Sequence, residues 1–164
     1  MTFLASRTIL GGLLVAVALM SAACSPSASM SGGTPSSDPE LASHGTIEVT
    51  AKLVEIPEGA IFERELYNYA TVLKYQVIEV HRGSVRGQTI YVGHYNPAKP
   101  RAQAADEHVP NIGGDLKTFR EDQVERMSLD GSMLDEFSGA ILNKYFEEDP
   151  DPIYWAVWTD LVSG

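Results

Sequence analysis

The stretch from Asn68 to Tyr95, NYATVLKYQVIEVHRGSVRGQTIYVGHY, constrains this chain more than any other. Ala70 to Val80 is rich in valine, isoleucine and tyrosine, and Gln88 to Tyr95 alternates almost strictly between two faces. Such runs fit a pleated, partly buried surface. Between them, His81-Arg82-Gly83-Ser84-Val85-Arg86-Gly87 offers two glycines where the backbone can take positive φ. The stretch therefore reads as a hairpin, and the rest of the domain must pack on it.

The neighbouring segments predict how the hairpin is used. Gly45 to Ile56 reads as a strand with Ile47, Val49, Ala51 and Leu53 on one face and Glu48, Thr50 and Lys52 on the other. Val54 and Ile56 are apolar as well, which predicts a switch of buried face near Leu53-Val54. Tyr69 to Val80 shows the same behaviour: Leu73, Tyr75 and Val77 share a face, while Ile78 and Val80 lie on the other. Long strands that change sides suit a small, strongly coiled barrel better than a flat sandwich. In Gln88 to Tyr95, Ile90, Val92 and His94 oppose Thr89, Tyr91, Gly93 and Tyr95. A strand over Val124 to Leu129 and a closing strand over Ile153 to Leu161, returning to the first, bring the total to five. Ala60 to Tyr67 reads as irregular, and Met133 to Phe137 and Ile141 to Phe146 as helical turns. The fold expected is all-β: a small five-stranded OB-like Greek-key barrel with irregular and short helical insertions.

The barrel does not begin at the N-terminus. Arg7, an apolar run over Ile9 to Met20 and the small residues Ser21-Ala22-Ala23 have the layout of a secretory signal peptide. The apolar run is short for a membrane span. Cys24, the sole cysteine, follows directly. This arrangement resembles the lipobox of bacterial lipoproteins, although Ser21 stands where that family usually carries leucine. The resemblance implies a multiply acylated Cys24 as the mature N-terminus, anchored by palmitate-type chains at the periplasmic or outer face of the cell envelope. Ser25 to His44, SPSASMSGGTPSSDPELASH, is too poor in apolar residues to fold alone. The organisation expected is a signal peptide over 1–23, a lipid-anchored disordered linker over 24–44 and a barrel over 45–164.

Loss of Arg7 with the leader leaves 11 basic against 22 acidic residues, a net charge near −11. That balance argues against nucleic acid and anionic lipid as partners. With one cysteine the domain cannot rely on a disulfide.

The segment VIEVHRGSVRGQTIYVG resembles the central hairpin of the netrin-like and tissue-inhibitor-of-metalloprotease-like branch of the OB fold. Protease inhibition in that branch uses a disulfide-tethered N-terminal cysteine, which this chain lacks, so only the fold is implied. The GHYNP segment and the YWAVW ending are similar to a family of uncharacterised bacterial exported proteins.

Candidate sites concentrate around His94-Tyr95-Asn96-Pro97 and the long loop from Ala98 to Gly114. His94 could act in acid–base chemistry or ligand binding, or be a core-edge histidine bonded to backbone. Asp106, Glu107 and His108 could join it as a carboxylate–imidazole cluster. Their spacing lacks the close His pairs of zinc sites, so no metal and no cofactor is expected. Tyr91, His94, Tyr95, Asn96, Arg101 and His108 form the candidate ligand surface. There is no G-x-S-x-G elbow and no phosphate-binding glycine loop. Glu147 to Asp151 reads as a solvated acidic loop. The expectation is a non-catalytic binding or accessory domain for a glycan or protein. Two alternatives stand: an envelope enzyme acting on a polysaccharide through His94 with Asp106 or Glu107, and a structural subunit of an envelope complex.

Overall fold

The computed structural model describes residues 41, 43–62 and 67–162. The leader, Cys24, most of the linker and the middle of the irregular stretch after Ala60 lie outside them. Among the described residues six strands form one sheet: β1 (Ile47–Glu55), β2 (Ala70–Arg82), β3 (Thr89–Tyr95), β4 (Val124–Asp130), β5 (Ile141–Leu142) and β6 (Ile153–Leu161). One helical turn, α1 (Met133–Glu136), follows β4, and 3-10 turns span Arg101–Gln103 and Phe146–Glu148.

The sheet order is β1-β4-β6-β3-β2-β5, and β1 also pairs with β2. That additional pairing closes five strands into an OB-like barrel, β1-β2-β3-β6-β4. All seams are antiparallel except β3–β6, where Tyr91, Val92 and Gly93 run parallel to Ile153, Tyr154 and Trp155. The final strand therefore closes on β3 and β4. The expected direct pairing of the last strand with the first is not formed: β1 is already flanked by β2 and β4.

Strand β2 is long because it serves two neighbours along one edge. Its pairing with β1 ends at Lys74, opposite Glu55. The edge at Ala70 and Thr71 is taken by β5 in parallel. Ile141 to Phe146, expected as a helical turn, thus supplies an edge strand and leads into the 3-10 turn at Phe146–Glu148.

The side-switching is real in β2 and absent in β1. Thr50 faces Glu79 but Ala51 faces Val77, so Ile78 is bulged out of the ladder. Ile78 is 51% exposed, while Val77 and Val80 are both buried despite their opposite parity. Val54 is 41% exposed, so the apolar buried face of β1 does not switch at Leu53; on the opposite face Glu48 is also buried, bonded to Arg126. In β4 the interior positions are Glu125, Met127 and Leu129, a clean alternation that includes a carboxylate.

Two apolar cores result. The barrel interior holds Val49, Leu53, Leu73, Ile90, Met127, Leu129 and Tyr154, among others. Outside the barrel wall, Ala70, Val72, Tyr95, Met133, Trp155 and Val157 pack together. Strands β2, β3 and β6 are thus buried on both faces, which accounts for their continuous apolar runs. The barrel also takes in part of the expected linker. Leu41 is buried, and its carbonyl accepts hydrogen bonds from Ser128 Oγ (2.8 Å) and Arg82 Nη2 (3.2 Å). Arg82 Nη2 also binds the His44 carbonyl at 2.6 Å.

The long loop folds back onto β6. Gly113 donates to the Val157 carbonyl (2.9 Å) and accepts from the Thr159 amide (3.0 Å). Gly114 has φ of +126°, and a Cβ there would lie 2.0 Å from the Thr159 carbonyl oxygen. Backbone cannot yield as a flexible side chain can. Gly114→Ala is therefore expected to lower stability by about 3 kcal/mol, measured by urea unfolding; a change below about 0.5 kcal/mol would contradict this packing.

Candidate functional site

Strand parity places His94 of β3, Tyr75 of β2 and Glu125 of β4 inside the barrel. Tyr75 Oη is 2.9 Å from His94 Nε2 and donates to Glu125 Oε2 at 2.9 Å. A phenol has one proton. When that proton goes to Glu125, His94 donates from Nε2; when the Glu125 carboxyl carries a proton, it can donate to Tyr75 and leave the phenol proton for His94. His94 Nδ1 and Glu125 Oε1 are both buried without a hydrogen-bond partner. All three side chains are wholly shielded from solvent.

Arg101 closes this end of the network. Its guanidinium donates to the carbonyls of Tyr95 (2.7 Å), Asn96 (2.5 Å) and Lys99 (3.0 Å) and lies 5.1 Å from the Phe119 ring centre. Phe119 also meets the His94 ring, with centroids 4.6 Å apart. Burial pulls the Arg101 guanidinium down to about 10, so it stays cationic at neutral pH. Burial, and then the Arg101 charge, hold His94 well below the usual imidazole range. Burial pushes Glu125 up to about 8, opposed by the Tyr75 hydrogen bond and by Arg101. Burial, with Glu125 beside it, drives the Tyr75 phenol well above its ordinary value. At neutral pH the interior is a neutral imidazole, a phenol and a largely protonated carboxyl, with one cation alongside.

The other candidate residues fasten the loop. Asp106 accepts from Tyr95 Oη (2.7 Å), Asn68 Nδ2 (2.7 Å) and the amides of His108 (2.9 Å) and Val109 (3.0 Å). Burial alone would raise this carboxyl, but the bonds from Tyr95 and the two amides hold it below the usual carboxylate range. Asn96 is buried with φ of +45° and donates to the Ala104 carbonyl. Tyr91 is half-buried, its hydroxyl bonded to Glu148, which also takes Lys74 Nζ at 2.9 Å. His108 and Glu107 are exposed.

The structure therefore does not bring the candidates together as a ligand face or a catalytic pair. His94 is engaged by Tyr75, and Asp106 by Tyr95. The expected partnership of His94 with Asp106 or Glu107 is not formed, because β3 turns His94 inward while the loop lies outside the wall. Tyr95, Asn96 and Arg101 are buried, so of the proposed ligand surface only His108 and part of Tyr91 meet solvent. Glu125 was missed; the alternation Glu125, Met127, Leu129 was its only sequence signal. Among the described residues no group of three or more His, Cys, Asp or Glu side chains could hold a metal ion. Comparison with protein-family models, with curated proteins and with solved structures finds no match.

Two measurements check this interior. His94→Ala removes a buried ring and leaves Tyr75 short of a partner, so a loss of about 2–4 kcal/mol is expected; an unchanged melting temperature would refute the placement. Glu125 binds its proton more tightly folded than unfolded, with its folded value near 8 against the ordinary 4.5. Its contribution is full below the unfolded value and is lost as pH rises through the folded one. His94 acts oppositely, but only below its ordinary value of 6.5. Stability should therefore fall as pH rises from about 6.5 to about 8, and Glu125→Gln should flatten that slope in pH-dependent urea unfolding.

Proposed function

We propose that this chain is an exported, lipid-anchored, non-catalytic binding domain of the bacterial cell envelope, with a glycan or protein as ligand. The observation that carries the non-catalytic part is the sealing of His94. A general base must reach the proton it abstracts. Here the histidine best suited to acid–base work has no solvent exposure, and its Nε2 is held by Tyr75. The enzyme alternative would need the wall between His94 and the Asp106 loop to open. The leader layout and Cys24 support export and anchoring. Two or more acyl chains give the stable attachment that a single chain cannot.

One surface feature favours a protein ligand as a second reading, in which the barrel is an accessory subunit. Phe62, Tyr67 and Tyr69 line a groove with Ala140, Ile141 and Leu142, and its walls are almost wholly apolar. Tyr67 is 75% exposed. A sugar needs hydrogen-bonding groups beside an aromatic plate, and this groove offers few.

Metabolic labelling with a fatty-acid analogue tests the anchor. The wild-type chain should take up label and partition with membranes. Cys24→Ser should lose the label and appear in the soluble fraction; labelling of that variant would overturn the anchoring.

A further inference from the structure

Among the described residues β5 stands at the outer edge of the sheet order, and its two residues line the apolar groove formed with Phe62, Tyr67, Tyr69 and Ala140. We propose that this edge and groove dock an extended segment of a partner protein, which adds a strand at Ile141 and inserts one apolar side chain into the groove. This deepens the protein-ligand form of the binding-domain reading above and rests on it.

The strand edge selects a peptide backbone. The Ala140 carbonyl accepts from the Ala70 amide (2.9 Å), and the Leu142 carbonyl accepts from the Thr71 hydroxyl (3.4 Å). Both carbonyls are thus turned toward β2. Successive residues of a strand aim their backbone groups to opposite sides. The amide and carbonyl of Ile141 therefore face the open side, where no described residue pairs with them. The approach is clear, since Ser138, Gly139 and Ala140 are all exposed. One donor beside one acceptor matches a residue of extended chain, as in other cases of strand addition. An acyl chain carries neither group.

The groove selects an apolar side chain. Its volume is about 230 Å³, smaller than pockets that enclose a whole small ligand, about 300–1,000 Å³. No charged residue lines it. Its floor is fixed: the Tyr69 carbonyl accepts from the Asn96 amide (2.8 Å), the Tyr69 hydroxyl accepts from the Phe62 amide (2.9 Å), and the two rings meet at 4.9 Å. Phe62 nevertheless remains 46% exposed and Tyr67 75%. Ile141 both lines the groove and offers the edge, so a chain paired with its backbone carries alternate side chains over the groove.

Other occupants match less of this. The chain's own segment 25–40 has no aromatic, leucine, isoleucine or valine side chain to insert. A tether entering at Leu41, which is bound to Arg82 at the last residue of β2, draws that end toward a bilayer. The groove adjoins Ala70 at the first residue, up to about 40 Å away along the strand. A second copy would bring another net −10 against this one. It would also find an edge one residue wide, because Asn143 Oδ1 takes the Tyr145 amide (2.8 Å) and ends the strand after Leu142.

The full-length chain as processed by the cell would be titrated with fluorescent capped heptapeptides, threonine throughout except for a central phenylalanine, tryptophan, leucine, aspartate or lysine. Anisotropy should show the three apolar peptides binding at least tenfold more tightly than the two charged ones. Two N-methylated forms of the best binder, each blocking alternate amides along one edge, separate strand addition from simple apolar contact. One of the two should bind at least tenfold more weakly than its parent. Ile141→Pro removes an amide that the sheet does not use, and Tyr67→Ala removes an exposed wall. Each should weaken binding about tenfold, with the circular dichroism spectrum unchanged. No binding by any apolar peptide, equal binding of the parent and both methylated forms, or undiminished binding by both variants would overturn the proposal. Self-association abolished by Ile141→Pro would assign the edge to a second copy. Vesicle binding by Cys24→Ser that Tyr67→Ala abolishes would assign the groove to the bilayer. Either result overturns the peptide. The methylation comparison uses the unaltered chain, so it decides even if a variant misfolds. Failure here leaves the acyl-labelling test of the anchor untouched, and loss of the label would leave peptide binding intact.

Discussion

Everything in this barrel depends on β1 being paired along both edges. Six of its residues pair with β4 and seven with β2, through a ladder that slips register three times on the β2 side. Those slips let one short strand bend around a curved wall without leaving backbone groups unpaired. If either seam opened, the interior would be exposed along its length, and each freed amide and carbonyl would need a new partner. Closure also removes the sheet edges that would invite pairing with other chains. Among the described residues, the two-residue β5 stands at the outer edge of the sheet order.

Closure makes possible a polar interior in a small core. An isolated carboxylate in such a place would be costly, and the chain avoids it by keeping Glu125 largely protonated and bonded to Tyr75. Arg101 is tolerated nearby because three backbone carbonyls take its protons. The same contacts fix the start of the loop after β3. Interior and loop are therefore one construction: the cation that lowers His94 also pegs the chain that returns along β6. That return bonds Gly113 to Val157 and Thr159, and Asp115 to Asp160 and Leu161.

Much of this was legible in advance from local pattern. The β2–β3 hairpin, the inward direction of His94 and the OB-like barrel follow from alternation, two glycines and the run lengths. The interior alternation of β4 is masked in the sequence, because Glu125 is a residue type that ordinarily faces solvent. Val54 and Ile78 were counted as buried because they are apolar, yet an isolated apolar residue on the surface is ordinary. The short β5 was indistinguishable from a helical turn, since two residues carry no period.

The candidate site shows where local reading ends. The sequence by itself determined the residue types, the strand directions and the concentration of polar and aromatic groups around 91–108. Only the tertiary structure decided what those groups do. Asp106 reaches Tyr95 and Asn68 instead of His94, because a barrel wall separates loop from interior. Glu125 meets Tyr75 across 50 positions of sequence, and no spacing rule connects residues on strands joined only by closure. Partners within a strand or turn are set by backbone geometry and can be read from order alone. Partners across a barrel are set by which strands meet, and that is settled only when the whole chain has closed.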